Sequence, residues 1–156
     1  MRILFSRQSG TTPMLTCIRD NRTTTWFLAT NQSDFFVLND LTRYAIETTL
    51  GYTQGFYGKI AAGQDIHELT LPIPQGQNSE FTYSNLLTSL LSPTEETLEE
   101  GLIEILQEAC KERSLPPLNL HEDQLNTIRD QINNLLVAWK YLPAGEMLEL
   151  SFPLHD

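Results

Sequence analysis

Short alternating runs stand at both ends of this chain, with helix-like sequence between them. Near the start lie "RILFSR" (2–7), "MLTCIRD" (14–20) and "TTTWFLA" (23–29), rich in threonine, aromatic and β-branched residues. Such side chains fit a pleated surface. Leu15, Cys17 and Arg19 alternate with Met14, Thr16 and Ile18, and Thr25 and Phe27 oppose Trp26 and Leu28. The turn-rich "QSGTTP" and the short "DNR" separate the three runs, so the spacing predicts an antiparallel meander. At the far end "EMLELSF" sets Leu148, Leu150 and Phe152 against Glu149 and Ser151. Strands flanking a helical middle predict one shared sheet. The expected fold is a two-layer α+β domain over 1–156, with a meander at 1–30, a helical region at 38–141 and a C-terminal strand at 146–152. About four antiparallel strands would carry helices on one face.

In the middle, "NQSDFFVLND" leads into a helix that Asn39 or Asp40 is expected to cap and Gly51 to close. Leu41, Ala45 and Leu50, with Tyr44 and Thr48, form its expected buried stripe. A short helix should follow from Gly55 to Ala62, whose glycines imply close packing on a neighbour. "TLPIPQGQNS" (70–79) reads as a connector, and "EFTYSNLLTSLL" (80–91) as a helix. Ser92, Pro93 and Glu95 make a capping-box pattern ahead of Leu98, Leu102, Ile105 and Ala109. A last helix, 122–141, aligns Leu125, Ile128, Ile132, Leu135 and Trp139, and the two long helices are expected to pair as an antiparallel hairpin.

The net charge of −10 is unevenly spread. Acids and bases balance over residues 1–78, so the excess falls in the second half, most densely at Glu95, Glu96, Glu99, Glu100, Glu104, Glu108 and Glu112. Such a surface repels phosphate backbones, which argues against nucleic acid; solubility alone explains it, and it would also suit another protein, a basic one in particular. No apolar run approaches the roughly 18 residues of a membrane span, and no export signal is legible. A cytoplasmic location is therefore expected, as monomer or homodimer. Cys17 and Cys110 lie far apart, without Cys-x-x-Cys spacing, and read as reduced buried thiols. Neither metal nor other cofactor is expected.

Chemistry-bearing residues gather between Asp40 and His67. Arg43 and Glu47 stand four apart on one helix, where an ion pair forms easily. Asp40, Arg43, Tyr44 and Glu47 could line a polar pocket with Tyr52 and Tyr57 of the following segment. Arg43 would grip a carboxylate or phosphate there, and Glu47 would act as a base if burial raised its pKa. More simply, Asp40 could be a cap, Arg43 and Glu47 a surface pair, and Tyr44 a residue lying on the core. Asp65 and His67, with Glu68, offer a second acid–base grouping that solvated surface explains as well. No nucleophile elbow, phosphate-cradling glycine loop or His-Glu-x-x-His motif appears.

From "DFFVLNDLTRYAIETTLGYTQGFYGKIAAGQDI" the chain resembles a small family of uncharacterised bacterial proteins. Its members carry H-D-L-x-H-Y-x-x-E, then G-[YF]-x-x-G-F-x-G and A-x-G-x-D, and end in a Pro-Gly-containing turn and an L-E-L strand. The likeness rests on Asp40-Leu41, Tyr44, Glu47, Gly51, Gly55-Phe56, Gly58, Gly63 and Asp65, and on "LPAGEMLELSF". Histidines four residues apart with a carboxylate four further on would imply a metal site in such relatives. This chain has Asn39, Arg43 and Glu47 there, and a fixed positive charge opposes a cation. The expected function is a non-catalytic binding or protein-interaction domain. A hydrolase-like or small-ligand enzyme with a pocket around Arg43 and Glu47, and an acidic inhibitor of a basic partner, are the alternatives.

Overall fold

In the computed structural model, which describes residues 1–7, 12–29, 34–70, 77–93, 101–143 and 145–153, the two ends of the chain meet in one sheet. Strands β1 (Arg2–Arg7), β2 (Pro13–Ile18), β3 (Thr24–Leu28) and β4 (Met147–Ser151) lie in the order β3-β2-β1-β4. Every pairing is antiparallel. Phe5 stands opposite Leu15 on one side and Leu148 on the other, and Leu15 opposite Phe27. That register puts Ile3, Phe5, Leu15 and Cys17 on the covered face, all buried. The other face leaves Trp26 53% and Met147 57% exposed, so the helices roof a single side. The α+β architecture expected from the alternating ends is the one the chain adopts.

Among the described residues six helices supply the roof: α1 (Phe35–Leu50), α2 (Phe56–Ala61), α3 (Ile66–Thr70), α4 (Ser79–Leu91), α5 (Leu102–Glu112) and α6 (Glu122–Lys140). α1 is the central element, with α4 and α6 both packed along it. It therefore buries Val37, Leu41, Thr42, Ala45, Ile46 and Glu47, more of its circumference than one amphipathic stripe would. Leu41 and Val37 join the sheet-side core, while Ala45 and Ile46 join a second cluster shared by α4, α5 and α6.

Several expectations are corrected. α1 begins four residues before Asn39, with Asp34 in the capping position, so Asp40 is no cap but sits inside the helix. The main packing partners differ from the expected α5–α6 hairpin: α6 runs along α1 and α5 packs on α4, while both contribute to the second cluster. Ser92 closes α4, and the helix start expected at Pro93 and Glu95 falls mostly outside the described residues. α3 was not expected at all; five residues are too few to show a period. Cys17 and Cys110 are both free and buried, with the Cys17 thiol pushed up to about 12 by burial and by the nearby Asp40 charge.

The two faces of the sheet should respond differently to truncation. Phe5→Ala is expected to cost about 3–5 kcal/mol in denaturant unfolding, the range for emptying an aromatic site in a core. Trp26→Ser, on the open face, should cost under about 1 kcal/mol.

Candidate functional site

A carboxylate buried without a charged partner is the first unusual feature of the site. Glu47 is fully buried on α1. Its Oε2 accepts the backbone N–H of Tyr57 at 3.0 Å, and the Phe56 amide also faces the carboxylate. These amides open α2, whose first-turn N–H groups have no partner within the helix. Gly55 makes the approach possible, because a Cβ there would collide with the Glu47 carboxylate. Among the described residues Oε1 makes no hydrogen bond of ordinary geometry, and the Ser84 hydroxyl, likewise unmatched, lies near enough to pull the carboxyl's pKa down. Burial pushes Glu47 up to about 7, against the pull of the Tyr57 amide and of Arg43.

α2 is held at its other end as well. Arg19 on the turn after β2 donates from Nε to the Ile60 carbonyl at 2.5 Å and from Nη2 to the Gln64 carbonyl at 2.6 Å. So fixed, α2 delivers two rings. Tyr57 is wholly buried and donates its hydroxyl to the Asp40 carbonyl at 2.7 Å. Phe56 lies beneath Arg43, whose guanidinium carbon is 4.4 Å from the ring centroid. Desolvation raises the Tyr57 phenol well above its ordinary value, with Asp40 adding to the shift. Tyr57 is a core residue.

Arg43 pairs one turn back rather than one turn forward. Its Nη1 donates to Asp40 Oδ1 at 3.1 Å and its Nη2 to Asn85 Oδ1 of α4 at 3.2 Å. The expected surface pair with Glu47 is therefore replaced: Glu47 points inward to α2, and Asp40 supplies the counter-charge. Burial pushes the Asp40 carboxyl up to about 6, and Arg43 pulls it down. Asn39 accepts the Ser92 hydroxyl at 2.5 Å, tying α1 to the end of α4.

These groups border a cavity of about 190 Å³. Asn39, Asp40, Arg43, Thr70 and Asn85 give its polar lining, and Phe27, Phe36, Phe56, Ile66 and Leu69 its apolar walls. A wider depression of about 520 Å³ lies along α5, between Ile103 and Pro117. Its rim carries Glu104 and Glu108, exposed as the acidic face requires. Glu95, Glu96, Glu99 and Glu100 lie outside the described residues.

Of the sequence candidates, the structure brings Asp40 and Arg43 to the cavity. Glu47 does not line it but anchors α2, which carries one of its walls. Tyr44 donates to the Ser151 carbonyl at 2.7 Å, joining α1 to β4. Tyr52 belongs to the second cluster, not to a pocket with Tyr57; burial and the Glu80 charge raise its phenol. Asp65 and His67 are exposed and sit apart from this group: Asp65 accepts the His67 backbone N–H at 2.9 Å, and the imidazole lies against Trp26 and Phe27. Asn85 was missed, because nothing in an amide on a half-apolar helix marks it before α1 and α4 are known to touch.

Among the described residues no group of three or more His, Cys, Asp and Glu could hold a metal ion, and no helix is long and apolar enough to cross a membrane. No family model, curated protein or solved structure matches this chain.

Two measurements test this geometry. Glu47 binds its proton more tightly folded than unfolded, since its folded pKa is about 7 against 4.5. Its contribution therefore falls as pH rises through that window, by an amount on the order of 3 kcal/mol. Glu47→Gln keeps an acceptor for Tyr57 and should flatten the decline of Tm between about pH 4.5 and 7, most visibly at its upper end. A variant whose Tm falls as steeply as the parent's would show the carboxyl to be unperturbed. Gly55→Ala must push the carboxylate off the Tyr57 amide, and should lower unfolding free energy by about 2–4 kcal/mol.

Proposed function

We propose that this chain is a non-catalytic binding domain that takes a small ligand in the cavity between α1, α2, α3 and α4. The observation that supports it is a polar cluster held in place beside open volume. Asp40, Arg43 and Asn85 fix one another, Phe56 supports the guanidinium from below, and apolar walls face the remaining space. Binding sites commonly have this composition, a few placed polar groups in a mostly apolar hollow. The described lining holds no serine, cysteine or histidine, which favours binding over covalent chemistry. The expectation of an acid–base role for Glu47 loses its basis, since that carboxylate faces α2 rather than the cavity.

Contact with another protein is the second reading, and the open sheet face supports it. Trp26, Leu28 and Met147 are exposed there, beside Met14. A location in the cytoplasm remains part of this proposal, as does the resemblance to the bacterial family.

Thr70 lines the cavity and is half-buried, so Thr70→Trp should plug it without emptying the core. Saturation-transfer NMR against a panel of small aromatic and heteroaromatic fragments should give binders to the parent that weaken about tenfold or more in the plugged variant. Unchanged binding after plugging, or turnover of a bound compound, would refute the reading.

A further inference from the structure

The chemistry of the lining narrows the ligand. An anion was the natural guest for an unpaired arginine, yet Arg43 is not unpaired. Asp40 lies 3.1 Å from its Nη1, and the two side chains are 17% and 15% exposed. The pair is electrically neutral, and a second carboxylate or a phosphate brought beside Asp40 would meet like charge in a poorly solvated place. A cation would meet Arg43 in the same way. The ligand that meets neither repulsion carries no net charge.

The hydrogen-bonding groups set its edge. Arg43 commits one N–H each from Nη1 and Nη2 to the protein, and a guanidinium has five. Asn85 and Asn39 spend their oxygens on Arg43 and Ser92, which leaves their amide N–H groups as donors. Against these donors stands one strong acceptor, the Asp40 carboxylate, which pairs with Arg43 through Oδ1. A guest carbonyl would satisfy the donors and an adjacent guest N–H would satisfy Asp40. Phe27, Phe36 and Phe56 supply aromatic surface around it, which suits a flat ring. The volume, about 190 Å³, lies below the roughly 300–1,000 Å³ of drug-sized sites, which limits the guest to one or two fused rings.

We propose that the cavity binds an uncharged planar lactam heterocycle of nucleobase size, its C=O toward Arg43 and Asn85 and its adjacent N–H toward Asp40. This rests on the cavity being a binding site, and it adds the ligand's class. Asn85 is then the specificity-determining residue, because it both orients Arg43 and offers its own amide to the guest.

The test is a comparison of five probes on the purified full chain by titration calorimetry and ¹⁵N chemical-shift mapping. Uracil and hypoxanthine present the lactam edge, benzoate is the anion, benzamidine the cation, and toluene the apolar control. Uracil or hypoxanthine should bind at least about tenfold tighter than the other three, with shifts centred on Asn39, Arg43, Thr70 and Asn85. Asn85→Leu, which keeps the volume and removes the amide, should weaken them about tenfold, a loss of the size expected for one or two buried polar contacts, and leave toluene unchanged. Parent-like lactam affinity in that variant would refute the role of Asn85. Preferred binding of benzoate, benzamidine or toluene that Thr70→Trp abolishes would overturn the lactam proposal while leaving the cavity a binding site. Binding by none of the five, together with a blank fragment panel, would overturn both.

Discussion

The contact between the Glu47 carboxylate and the Tyr57 amide, made across the bare Cα of Gly55, is the constraint on which the centre of this molecule depends. It ties a six-residue helix, too short to hold itself, to the helix that packs against both α4 and α6. From that one contact follow the burial of Tyr57 under Asp40, the seat of Phe56 below Arg43, and hence the position of a cavity wall. Arg19 finishes the attachment by donating to the Ile60 carbonyl near the end of α2 and to the Gln64 carbonyl just beyond it. The cost is a carboxylate in a place that disfavours its charge, with one oxygen that makes no hydrogen bond of ordinary geometry among the described residues. A shorter residue at this position would relieve the cost and lose the anchor, whereas glutamine would remove the charge and keep an acceptor for the Tyr57 amide.

Charge is then arranged in two regimes. Around the cavity, cation and anion cancel over a few ångströms, which leaves hydrogen-bond direction rather than net field to select a guest. Along α5 acid outweighs base: Glu104, Glu108 and Glu112 are exposed beside the lone Lys111 of that helix, and screening by salt would reduce whatever that face attracts. The polar set at the cavity draws on both halves of the sequence, Asn39, Asp40 and Arg43 from the balanced first and Asn85 from the acidic second.

How much of this could be read beforehand depended on whether local pattern or remote contact decided each feature. The sheet was legible because alternation is written residue by residue: Leu15 and Cys17 inward, Met14 and Thr16 outward, and the same again at Leu148 and Leu150. The start of α1 was misplaced because Asp40 looks like a cap, yet Phe35 and Phe36 already belong to the helix. The Arg43–Glu47 pair was misassigned for a deeper reason. Spacing of four permits the contact but does not say which face is covered, and α1 is covered by the sheet, α4 and α6 together. Once three neighbours surround a helix, its polar residues no longer mark solvent. Asp40 and Arg43 do border a cavity, though not one shared with Tyr52 and Tyr57; their partner Asn85 lies forty-two positions beyond Arg43 on another helix, where no periodicity points.

The same crowding of α1 explains why structure and site cannot be separated here. A helix that packs on three sides has little surface left for recognition, and the cavity takes the part that carries Asn39, Asp40 and Arg43. Those side chains cannot reach water freely, so they bond to one another and to Asn85. Fixing them in advance lowers the ordering cost that a guest would otherwise meet on arrival. Two carboxyls with raised pKa values, Asp40 and Glu47, therefore serve different ends: one is oriented beside volume, the other is committed to holding the wall of that volume in place. Their shared helix makes any rotation of α1 move both, so that the anchor for α2 and the geometry of the cavity are set by one rigid element.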